Sequence, residues 1–106
     1  MAKHVVTLTY KLVKNFPANE KFCLINQMTR AAISIPSNIA EGTSRNSTKD
    51  KIHFINIAYA SMMELTCQYE IALELGYIKQ EEYNNYINMA EWLSVKLTRL
   101  SKSYDV

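Results

Sequence analysis

Apolar residues recur along this chain at steps of three and four, the period of a helix with one buried face. The repeat falls into four segments, and helices are expected over about residues 2–14, 18–41, 48–75 and 80–102. In the first, Val5, Leu8, Thr9, Leu12 and Val13 share a face. Asn15-Phe16-Pro17 stops it, and Pro17 is placed to open the second helix, where a missing N–H costs nothing. Phe22, Ile25, Met28, Ala32, Ile35 and Ile39 then face a core. The third segment carries Ile52, Ile55, Tyr59, Met62, Leu65, Tyr69, Ala72 and Leu73. The fourth carries Tyr83, Tyr86, Ile87, Ala90, Leu93, Leu97 and Leu100, with Trp92 at one edge. Ser47-Thr48-Lys49-Asp50 resembles a capping box in front of the third helix. Gly42 and Gly76 each stand where a helix should end in a left-handed turn. Short connections make sequential helices antiparallel, so the expected fold is all-α: one domain, an up-down-up-down four-helix bundle.

The stretch from Gln27 to Gly42 organises the rest. Ala31, Ala32, Ser34, Ser37 and Ala40 allow another helix to approach closely, and Ile35 and Ile39 supply apolar bulk. Pro36 lacks an N–H and crowds the carbonyl of Ala32, but the apolar pattern carries on past it. The expectation is a helix kinked at Pro36 and not broken there. Gln27, Arg30, Ser34, Asn38 and Glu41 form a polar stripe beside the apolar one. Such a stripe is either a solvated face or a polar seam buried between helices or subunits.

With the second and third helices antiparallel about a turn near Arg45, residues whose numbers sum to about ninety should lie level. That places Asn38 near His53, Ser34 near Asn56 or Ile57, and Arg30 within a turn of Ser61 and Glu64. Arg30 is expected to pair with Glu64, or with a carboxylate of a neighbouring subunit, in a partly buried seam. His53 is expected to be a hydrogen-bonded structural residue.

Composition narrows the chemistry. The chain of 106 residues is 48% hydrophobic with 2 Gly and 2 Pro, too few turn-formers for a many-stranded sheet. No run approaches the ~20 apolar residues of a membrane span, and no secretory leader is evident, so a cytoplasmic protein is expected. Cys23 and Cys67 have no metal-ligand spacing and are expected to be buried free thiols. A di-iron bundle needs Glu-x-x-His pairs, and neither His4 nor His53 follows a Glu at that distance. Helical RNases that carry Arg, four to six residues and then His are missed narrowly, because seven residues separate Arg45 from His53. There is no phosphate-binding glycine loop and no nucleophile elbow. No catalytic residue, metal or cofactor is expected, and an enzyme is the least favoured class.

Charge is unevenly spread within a net +2. The bundle topology gathers Lys3, Arg45, Lys49, Lys51, Lys96, Arg99 and Lys102 toward one end, against Glu41, Asp50 and Asp105. The other end holds Glu70, Glu74, Glu81 and Glu82. Dipole matching accounts for bases at the end of the fourth helix, but not for Arg45, Lys49 and Lys51 near a helix N-terminus.

The run Arg30-Ala31-Ala32-Ile33-Ser34-Ile35-Pro36-Ser37-Asn38-Ile39-Ala40-Glu41-Gly42, with Arg45, Phe54 to Ala58, Glu64-Leu65 and Leu75-Gly76-Tyr77, resembles one bacterial family. It is the four helix bundle protein family, also known as the protein encoded by the intervening sequence of 23S ribosomal RNA, or as a ribosomal protein. One departure is Tyr59-Ala60-Ser61, where the family usually has Arg-Gly-Ser. The resemblance implies a homopentameric ring. It also implies kinship with the accessory protein of diversity-generating retroelements, which binds nucleic acid and a reverse transcriptase. A ring would repeat the basic pole into a positive collar able to attract RNA or DNA. The alternative is a scaffold ring that presents a surface to a protein partner, which exposure of Tyr69, Tyr77, Tyr83 and Tyr86 would favour.

Overall fold

The computed structural model describes residues 1–105, and these form four α-helices. They are α1 (Ala2–Val13), α2 (Leu24–Ser44), α3 (Thr48–Glu74) and α4 (Gln80–Tyr104), with a single 3-10 turn at Ala18–Glu20. Among the described residues there is no strand. Sequential helices are neighbours, and α4 closes back on α1. The radius of gyration is 14.4 Å, above the ~13 Å of a compact globule this size. The long axis of 46 Å explains the difference, since the 27 residues of α3 alone span about 40 Å.

The buried positions follow a heptad rhythm. In α3 they are Ile55, Ala58, Met62, Leu65, Tyr69 and Ala72, alternating steps of three and four. Val5, Thr9 and Leu12 in α1 and Tyr86, Ala90, Leu93 and Leu97 in α4 repeat the rhythm, and Met28, Ala31, Ala32 and Ile35 cover the same stripe of α2. Such spacing lets neighbouring helices interlock at shallow crossing angles. Ala58, not Tyr59, fills the core position, and Tyr59 is turned outward.

Helix α2 runs unbroken through Pro36, which stands inside it. Its ends differ from expectation. Phe16 is buried against Tyr77 and the Tyr77 hydroxyl donates to Glu20 at 2.8 Å, which ties the segment before α2 to the α3–α4 turn. Held there, residues 18–23 make the 3-10 turn at Ala18–Glu20 and a further turn before α2 in place of α-helix, and Phe22 is 84% exposed instead of facing the core. At the other end Gly42 does not terminate α2. It lies buried within the helix with an ordinary negative φ, facing Phe54 and Ile55 of α3, and the helix continues to Ser44.

Gly76 does terminate α3. Its φ is +77°, and Tyr77 and Gly76 donate their N–H groups to the carbonyls of Ala72 and Leu73. That reciprocal pattern satisfies carbonyls the helix end would otherwise leave open. Ser47 caps α3 by accepting from the Asp50 N–H at 3.0 Å. Glu82 reaches back to the Lys79 N–H at 2.8 Å to open α4.

Candidate nucleic-acid interface

The α2–α3 contact sets the frame of both candidate sites. Ser34 and Ser61 share a hydrogen bond of 2.8 Å, and Asn38 donates to the Ser34 carbonyl and hydroxyl at 2.8 and 2.9 Å. Ser34 therefore lies level with Ser61 and not with Asn56 or Ile57. The register is displaced by about one turn because α2 runs on past Gly42.

The polar stripe lines an open groove of about 420 Å³ between the two helices, formed by Gln27, Arg30, Ala31, Ser34, Ser61 and Glu64. Ser34 and Asn38 are half-buried, whereas Gln27, Arg30, Glu41 and Glu64 are exposed. Arg30 and Glu64 meet on this groove, but they form no ion pair among the described residues. Glu64 instead accepts from the Gln68 amide at 3.2 Å. The other amide atom of Gln68, Oε1, is buried without a partner. His53 is exposed and packs edge-on against Phe54, with no side-chain hydrogen bond among the described residues. The expected hydrogen-bonded role is thus replaced by an aromatic contact.

At the basic pole the start of α1 approaches the end of α2. Lys3 and His4 face Pro36, Ile39 and Ala40 across a shallow cleft. The start of α3 meets the end of α4, where the Lys51 ammonium lies 5.3 Å from the centre of the Tyr104 ring. Lys51 also donates to the Thr43 carbonyl at 3.2 Å, near the end of α2. Arg45 sits 4.7 Å above the Phe54 ring and donates to Glu41 at 3.0 Å. That ion pair is exposed on both sides, so it is worth only a few tenths of a kcal/mol, about 0.3. Arg45 and Lys51 thus staple the α2–α3 turn. Lys3, Lys49, Lys96, Arg99 and Lys102 have no ion-pair partner among the described residues. Lys96 lies 5.1 Å over the Trp92 ring on the outer side of α4.

The opposite pole is acidic, and its charge is felt in the core. Tyr69 is pushed up to about 12, mainly by burial, and Glu82 adds to the rise. Tyr83 is raised by burial and by Glu70. Tyr77 is raised by its hydrogen bond to Glu20. Tyr69 and Tyr86 are fully buried and Tyr77 and Tyr83 half-buried, so these tyrosines form no exposed aromatic surface. The exposed apolar residues lie elsewhere. Tyr59, Met63 and Val95 border a groove between α3 and α4, a feature that the core stripe in the sequence did not single out.

Cys23 and Cys67 are both free and both exposed, not buried. Among the described residues no three His, Cys, Asp or Glu converge as a metal site, and no helix is long and apolar enough to cross a membrane.

The described residues define an all-α bundle of four helices with cations gathered toward one end. The chain belongs to the 23S rRNA-intervening sequence protein family, whose family model it matches over residues 1–99. Among solved structures it is similar to a protein of unknown function from the S23 ribosomal protein family of Bacteroides thetaiotaomicron. The two are 28% identical with a TM-score of 0.80, over 95% of this chain and 91% of that one. No curated protein matches it.

Proposed function

We propose that this protein is a non-enzymatic, cytoplasmic oligomer, a ring of five copies, that binds RNA or DNA through its basic pole. The observation that carries the reading is the meeting of three elements' cations at one end: Lys3 from α1, Lys49 from α3, and Arg99 and Lys102 from α4. Among the described residues none of the four is paired to a carboxylate, so all remain able to neutralise phosphates. Lys96 adds to them further along α4, while Arg45 and Lys51 shape the turn that holds Lys49. Repetition around a ring would multiply a weak single-chain attraction into a useful one. The polar seam of Gln27, Arg30, Ser34, Asn38, Glu41, His53 and Glu64 is the surface this reading assigns to contacts between copies.

Anisotropy of a labelled RNA and a labelled DNA, titrated with protein across a series of salt concentrations, tests the proposal. The expected result is affinity that falls linearly in log–log form as salt rises. Binding that is absent at low salt, or insensitive to salt, overturns it. Sedimentation at micromolar concentration reads the ring, and a lone monomer there removes it.

A second reading is favoured by the α3–α4 groove, where Met63 and Val95 are each about half exposed. In that reading the oligomer is a scaffold that docks a protein and binds no nucleic acid. It predicts a Met63→Lys variant that keeps its oligomeric mass and loses the partner, with nucleic-acid affinity absent throughout.

A further inference from the structure

The outward face of α4 carries Asn85, Asn88, Trp92, Lys96, Arg99 and Ser103, all exposed and all within one narrow stripe at helical spacing. No acidic residue falls on that stripe between Asn85 and Ser103; Glu81 continues it one turn before Asn85, and Glu82 and Glu91 lie off it on the same helix. Trp92 stands near its centre, 46% exposed. An indole is the largest apolar side chain available, and leaving it half in water on the face opposite the core does nothing for the fold. Lys96 lies 5.1 Å over the ring, and Arg99 follows about 10 Å from Trp92 along the helix.

A flat aromatic surface beside two cations at these spacings has the chemistry that single-stranded nucleic acid requires. The ring stacks a base and the cations meet the phosphates that flank it. A duplex hides its base faces inside the stack and offers such a ring nothing. We infer that α4 is a single-strand track in which Trp92 stacks an unpaired base while Lys96 and Arg99 hold the adjoining phosphates. The inference rests on the nucleic-acid reading above and specifies its ligand as unpaired strand, RNA or DNA.

Trp92 is the only tryptophan in the chain, so its emission reports the contact directly. The full-length protein is titrated with oligo-uridine, with oligo-thymidine and with a duplex of equal length. Each single strand is expected to quench Trp92 emission and the duplex to leave it unchanged. Trp92→Ala is expected to weaken single-strand binding about tenfold in anisotropy, while Trp92→Phe keeps most of the affinity. Circular dichroism and sedimentation of both variants confirm that an exposed position has been changed without loss of fold or mass. Single-strand affinity unchanged in Trp92→Ala, with no quenching of the native protein, overturns the track and leaves the basic-pole reading standing. Emission that depends on protein concentration alone places Trp92 between copies and also overturns it. Binding of neither single strand nor duplex overturns both readings together.

Discussion

Tyr69 and Tyr86 lie ring on ring in the core, their centroids 3.8 Å apart and their planes 8° from parallel. The Tyr69 hydroxyl has Thr9 placed to receive its proton, and the Tyr86 hydroxyl has both Thr66 and the Met62 carbonyl. Thr9 already donates to the Val5 carbonyl, so Tyr69 donates to Thr9 at 2.8 Å, while Tyr86 shares a 2.8 Å bond with Thr66 and donates to the Met62 carbonyl at 3.3 Å. The pair joins α3 to α4 through the rings and to α1 through Thr9. Ionising either phenol would remove that donor and bury a charge beside a second π-system.

This arrangement sets the alkaline limit of the fold. Burial holds Tyr69 protonated up to about 12 and raises Tyr86 as well, whereas in an unfolded chain both ionise near pH ~10. Above that point the unfolded state has lost protons that the native state keeps, so stability falls as pH rises. It is fully present below the unfolded value and is lost as pH climbs toward the folded one. Phenolate absorbance from this pair should therefore appear together with loss of helical dichroism, above pH about 10. Tyr69→Phe should cost about 1 kcal/mol at neutral pH, the worth of one hydrogen bond, and shift the alkaline midpoint upward.

The two glycines make a paired prediction. At Gly76 the backbone is left-handed and an added Cβ meets nothing within 4 Å, so Gly76→Ala should cost about 1 kcal/mol through backbone strain alone. At Gly42 the backbone is helical, but an added Cβ would meet the Phe54 Cβ at 3.1 Å, the Lys51 carbonyl at 3.2 Å and the Ile55 Cδ1 at 3.3 Å. Two of those atoms are fixed by the backbone of α3. Overpacking of about 2 kcal/mol should outweigh the ~1 kcal/mol gain in helix propensity. Denaturant midpoints should show a net loss for Gly42→Ala, and Gly42→Val should lose far more. A Gly42→Ala variant more stable than the native protein would mean that α3 moves away freely.

These glycines also show what a sequence can and cannot disclose. Both follow a helical run, and only the space available distinguishes the one that ends a helix from the one that lets two helices touch. All-α organisation was legible because Leu65, Tyr69, Ala72 and their counterparts repeat with one period. The α2–α3 register was not, since it depends on how far α2 continues past Gly42. Ser61, which bonds Ser34, carried no signal of its own, because a lone serine on a helix is most often solvated. The failed start of α2 has a long-range cause: Glu20 is held by Tyr77, 57 positions away. In the basic pole the cations were legible as a group. Their division into stapling residues, Arg45 and Lys51, and unpaired ones depended on rings and carbonyls brought together only by folding.

The Ser34–Ser61 bond should be worth about 1 kcal/mol. Ser34→Ala also removes an acceptor of Asn38, though the Ser34 carbonyl remains to receive that amide. Ser61→Ala leaves Asn38 untouched. Ser34→Ala should therefore be the more destabilising of the two single changes. The double variant should cost less than the two together, because the shared bond can be lost only once.

The staple at the α2–α3 turn can be separated from the cations proposed to bind phosphate. Lys51 packs on Tyr104 and donates to Thr43, so Lys51→Ala removes a contact that joins three helix ends. It should lower stability by about 1 kcal/mol, visible as a reduced denaturant midpoint. Lys49 is exposed with no side-chain partner among the described residues, and Lys49→Ala should leave stability within about 0.5 kcal/mol. In the nucleic-acid assay Lys49→Ala should weaken binding and make the salt slope shallower by about one contact's share. A Lys49→Ala variant with unchanged salt slope would place the phosphates elsewhere.

Arg30 offers the sharpest reading of the polar groove. Exposed and without an ion pair among the described residues, it has little to contribute to the stability of a single chain. Arg30→Ala should therefore leave the melting transition of an isolated subunit within about 0.5 kcal/mol of native. The groove it lines is open, with Glu64 on the facing helix and the Ser34–Ser61 bond bridging the two. A second copy seated there would desolvate the guanidinium and require a carboxylate or carbonyl to meet it, and loss of one partner of such a buried pair costs about 3–5 kcal/mol. Assembly is thus the quantity that should respond. Sedimentation of Arg30→Ala at micromolar concentration should show smaller species than the native protein, and Glu64→Ala should do the same if the contact is reciprocal around the ring. Native mass in both variants, with unaltered melting, would make the groove an ordinary solvated face.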